Sequence, residues 1–64
     1  MLEAPSDSAK SVRLLIVEDE RIIAINLKET LISLGYQVVG MVATGEQAIA
    51  EAIAQQPDLV LMDI

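Results

Sequence analysis

Two apolar runs frame this chain: Leu14-Leu15-Ile16-Val17 passes into Glu18-Asp19-Glu20, and Leu59-Val60-Leu61-Met62 passes into Asp63. Unbroken apolar runs of this length suit strands covered on both faces, the usual condition of a parallel sheet. Parallel strands share a carboxyl edge, and open α/β sheets hold their ligands outside that edge. Both sets of acids would therefore meet there. Carboxylates gathered in a partly dry crevice repel one another and need shared protons or a hard cation. A divalent metal answers that need, and an acidic metal pocket suits phosphoryl chemistry.

The residues between the runs supply helices. After a strand over Arg13 to Val17, Asp19 or Glu20 is placed to cap a helix from Arg21 to about Leu34. Ile23, Leu27, Leu31 and Leu34 form its apolar stripe, with Asn26, Lys28, Glu29 and Ser33 largely off it. Glu20 reads as a first-turn acid favoured by the helix dipole. Gly35 suits a left-handed C-terminal cap, and Gln37 to Val42 make a second strand. Thr44 with Gln47 three residues later matches a capping box, so a second helix should run from Gly45 to about Gln55, burying Ala48, Ile49, Ala52 and Ile53. Pro57 blocks its continuation, and Leu59 to Met62 follow as the third strand. The order is β-α-β-α-β, and two right-handed crossovers give a parallel sheet with helices on both faces.

Composition narrows the function. The 64 residues are 53% hydrophobic, which is globular rather than disordered. There is no Cys and no His, which removes disulfides, thiolate chemistry and the commonest general base. The formal charge is −6, and all four basic residues lie within the first 28 positions, so no basic stripe exists to follow a nucleic acid. That acidity serves either solubility or a cation or basic partner. No apolar stretch approaches the roughly 20 residues of a membrane span. Residues 1–11 are polar, carry Pro5 and three Ser, and lack the basic start and apolar centre of a signal peptide. They are expected to be a disordered leader, and the chain to be cytoplasmic.

With the strand order, the runs Leu14 to Glu20 and Pro57 to Ile64, and the intervening Leu34-Gly35-Tyr36 and Thr44-Gly45-Glu46-Gln47-Ala48, resemble the response-regulator receiver domain of two-component signalling. The resemblance implies a flavodoxin-like sheet of strand order 2-1-3-4-5, of which residues 12–64 would be the N-terminal half. It further implies that Glu18 and Asp19 help hold Mg²⁺ with Asp63, and that Asp63 accepts a phosphoryl group from a partner histidine kinase or phosphotransfer protein. Such a module is a phosphoacceptor rather than an enzyme, and its partners include an output domain.

Each acid also has a plainer reading. Asp19 could serve as a helix cap, Glu18 as a surface acid and Asp63 as a strand-end turn residue. Three departures from the family pattern stand out. Glu18 occupies a position where Asp is common, the backbone carbonyl two residues past Asp63 lies beyond the sequence, and so do the family's later Ser or Thr and Lys. Activity of the isolated chain is therefore expected to be low. An alternative is a non-phosphorylated interaction fragment using an exposed edge at Leu59 to Met62, including pairing with a second copy. A nucleotide-binding enzyme is disfavoured, because Glu-Asp-Glu stands where a phosphate-cradling loop would be Gly-rich.

Overall fold

The computed structural model describes residues 12–63. The expected leader over residues 1–11 lies outside the described residues. The elements are β1 (Arg13–Glu18), α1 (Arg21–Ser33), β2 (Gln37–Val42), α2 (Gly45–Gln55) and β3 (Leu59–Asp63). All strand pairs are parallel and the spatial order is β2-β1-β3. This is the start of the flavodoxin-like order. Among the described residues no helix is long and apolar enough to cross a membrane.

The central strand holds the core. Leu14, Leu15, Ile16 and Val17 are all essentially without solvent contact. Side chains alternate across a strand, so Leu15 and Val17 face α2, where they cluster with Ala48, Val42 and Ala52. Leu14 and Ile16 face the side on which α1 packs against β1 and β2. Burying each large aliphatic side chain contributes roughly 1.5–3 kcal/mol before entropy is counted. Between Leu14 and Leu15 the pairing with β2 slips by one residue, from Val38 to Gly40. The slip brings Gly40 under Leu15, and a Cβ there would stand 2.8 Å from the Leu15 Cδ1.

Both helices use a narrower inward face than their apolar residues suggest. On α1 the buried residue is Ala24, with Leu27 and Leu31 half-buried, while Ile23 and Leu34 are exposed. The small Ala24 lets the helix lie close to the sheet, and Leu34 falls at the C-cap, past the last helical residue. On α2, Ala48 is buried and Ala52 half-buried, but Ile49 is 65% and Ile53 72% exposed. That helix lies over β1 and β2, so its inward line runs through Ala48, Glu51, Ala52 and Gln55, and the isoleucines stand beside the contact.

The C-terminus of α1 and the N-terminus of α2 follow local signals. Gly35 takes φ 101°, and the Tyr36 N–H donates to the Leu31 carbonyl and the Gly35 N–H to the Ile32 carbonyl, each at 3.0 Å. Those bonds close a Schellman motif. Thr44 Oγ1 accepts from the Gln47 N–H at 3.1 Å, and Gln47 Oε1 accepts from the Ala43 N–H at 3.0 Å, one residue outside the reciprocal bond of a strict capping box. At the C-terminus of α2, Gln56 adopts φ 48°, a left-handed conformation that is costly for a residue with a Cβ. Arg13 at the start of β1 steadies it, donating from Nη1 to the Gln55 carbonyl at 2.7 Å and the Gln56 carbonyl at 3.1 Å. The Arg13 backbone N–H also donates to Asp58 Oδ2 at 2.9 Å. The start of α1 is described with the acids below.

Gly40→Ala should lower unfolding free energy by about 1–3 kcal/mol, because the fully buried Leu15 has no room to withdraw; urea denaturation measures it. Arg13→Met should cost about 1–2 kcal/mol through the uncapped carbonyls. Hydrogen exchange should locate that loss at the last turn of α2 and at Asp58.

Candidate functional site

The carboxyl edge of the sheet collects the acids. Glu18 ends β1, Asp63 ends β3, and the two are directly paired in register. Neighbouring parallel strands lie about 4.8 Å apart, and like charges opposite one another on a sheet are destabilising. This edge is therefore electrostatically suited to a cation.

Glu18 is only 5% exposed, although it carries a carboxyl group. Its Oε2 accepts a hydrogen bond from the Glu20 N–H at 2.9 Å, which folds the turn back on the strand end. The expectation that Asp19 or Glu20 caps α1 is thus corrected. Glu20 is the N-cap residue, extended at φ −91° and ψ 111°, and its side chain makes no capping bond. It lies outside the first helical turn, which holds no acid. The carboxylate that binds this turn is Glu18, because β1 continues one residue further than Val17 and keeps that side chain inside. Its surface-acid reading falls with that burial.

Asp19, at the apex of the turn, is exposed, as is Asp63. An open cleft of about 400 Å³ is lined by Glu18, Asp63, Ile23, Leu27, Asn26 and Thr30. Asn26 and Thr30 were not singled out as site residues. Their spacing of four along α1, on the flank of the apolar stripe, is the signal that places both polar groups on one side. The structure joins Glu18 and Asp63 in one cleft but leaves Asp19 outside its lining. Among the described residues, no group of three or more acidic side chains converges as a metal cage.

A hard cation of the Mg²⁺ type commonly takes only one or two carboxylates and completes its octahedron with water and phosphate oxygens. Two in-register carboxylates, one of them with an oxygen already fixed by a backbone amide, fit that requirement in number and in donor chemistry.

The comparisons agree with the fold. The response regulator receiver domain matches residues 14–64. The transcriptional regulatory protein PdtaR of Mycobacterium tuberculosis is 42% identical over 59 residues, covering 92% of this chain and 29% of that protein. The chemotaxis protein CheY of Bacillus subtilis is 38% identical over 52 residues, covering 81% of this chain and 43% of CheY. The crystal structure of the response regulator PhyR from Brucella abortus superposes with a TM-score of 0.80 at 36% identity, covering 98% of this chain and 27% of PhyR. The chain thus spans less than half the length of each of these relatives. A match through nearly all of the ordered elements, with the same backbone course, establishes that the chain belongs to the response regulator receiver domain family.

Proposed function

We propose that this chain is the acid-bearing half of a two-component phosphoacceptor, with Asp63 receiving a phosphoryl group from the phosphohistidine of a partner histidine kinase or phosphotransfer protein. The observation that carries the reading is the register of Glu18 with Asp63 at the carboxyl edge. An exposed Asp63 is open to a partner's phosphohistidine, and a strand end holds it more firmly than a loop would. One Asp63 carboxylate oxygen attacks phosphorus in line with the P–N bond. The O–P bond forms as the P–N bond breaks, and the electron pair leaves on the imidazole nitrogen, which is then protonated.

Glu18 presents its carboxyl group beside the reacting group, with one of its oxygens tied to the Glu20 N–H. Asp19, one residue on, is free to approach from solvent. When bound, Mg²⁺ neutralises the repulsion between these carboxylates and the incoming phosphoryl oxygens. Asn26 and Thr30 bring neutral hydrogen-bonding groups to the same cleft.

In this reading the module is a cytoplasmic signalling element rather than an enzyme, makes no direct contact with nucleic acid, and reports to an output domain. A second reading is favoured by β3, where Leu59, Val60 and Met62 are exposed across both faces of the strand. Such a strand can pair with another, either in a second copy of the chain or in an interaction partner.

Incubation with acetyl phosphate and Mg²⁺ should give an acid-labile modification, and Asp63→Ala should abolish it. Labelling that persists in Asp63→Ala, or maps to another acid, contradicts the assignment. Asp19→Asn should weaken Mg²⁺ binding at least about tenfold. Calorimetric titration reads this directly, and equal affinities in the two proteins would remove Asp19 from the metal site.

A further inference from the structure

A second cleft, of about 440 Å³, opens along the outer strand β2, with Arg21 from α1 and Gln47, Ala50 and Glu51 from α2 in its lining. Glu51 sits on the inward line of α2, half-buried, at a position where an apolar residue would ordinarily pack on the sheet. Its Oε1 is buried and has no hydrogen-bond partner among the described residues. The oxygen lies toward the sheet beside Gly40, where a Cβ would stand 3.6 Å from it, an ordinary contact. Gln47 is engaged elsewhere, its Oε1 accepting from the Ala43 N–H. A buried carboxylate oxygen without a donor is strongly unfavourable, so the arrangement calls for one.

Arg21 is the cation of that cleft. Its guanidinium offers five N–H donors on a long stem and matches a carboxylate in geometry. Asp19 and Glu20 compete for it, but both are exposed, and water and salt screen such pairs. The Glu51 Oε1 is shielded from bulk solvent, so attraction across the lower dielectric favours it over them.

We propose that Arg21 reaches across this cleft and donates to Glu51, an ion pair that latches the start of α1 to α2 around the β2 edge. Arg21 directly follows Glu18-Asp19-Glu20, so the latch also restrains the acidic turn. Its test requires neither phosphorylation nor metal, and stands whether or not Asp63 is the phosphoacceptor.

The test is a double-mutant cycle in the protein with Arg21→Gln and Glu51→Gln, followed by urea unfolding, together with NMR of the Arg21 Nε–H group. The latch predicts coupling of about fivefold in the folding equilibrium constant. It also predicts a slowly exchanging Arg21 Nε–H resonance that is lost in Glu51→Gln. Additivity within about twofold would overturn the proposal and leave a bridging water as the donor to Glu51. If a variant does not fold, the unsubstituted protein decides, and an Arg21 Nε–H in free exchange with solvent overturns the latch.

Discussion

β1 is paired on both sides, to β2 and to β3, and its four apolar side chains are buried on both faces. That double burial demands a parallel arrangement with a helix on each face, and the parallel arrangement in turn aligns the strand ends. Glu18 and Asp63 share an edge because Leu14 pairs with Leu59 and every following pair stays in step. A slip of one residue would turn Asp63 to the opposite face of the sheet. The pairing of the two acids is thus a consequence of hydrophobic register.

The opposite edge of the sheet is secured differently. Arg13 opens β1 and binds the last carbonyls of α2, while its backbone pairs with Asp58 just before β3. One residue therefore closes the second helix and starts the third strand in register. Strand β2, by contrast, accommodates a slip in register at Val39, and Gly40 uses it to admit Leu15.

Much of this was legible in the residues. The apolar runs located β1 and β3, Gly35 and Thr44 marked helix ends, and the acidic positions located the carboxyl edge of the sheet. The inward faces of the helices were not legible, because periodicity shows which residues are apolar but not how broad a sheet waits for them. Ile49 and Ile53 illustrate that gap, and Ala24 shows a small residue taking the closest approach. Glu18 was read as a metal acid and Asp19 or Glu20 as the cap. One extra residue of strand buries Glu18 and gives it the bond to the turn. Arg13 and Glu51 depend on contacts between distant segments, to which local pattern is blind.

The central claim is that Glu18 and Asp63 form one cation site through strand register. It is tested most directly by side-chain carboxyl ¹³C NMR during titration with Mg²⁺. The account predicts that the Glu18 and Asp63 carboxyl signals move together with a single midpoint, while Glu29 and Glu46 stay in place. Separate midpoints, or a Glu18 signal that does not respond, would contradict it.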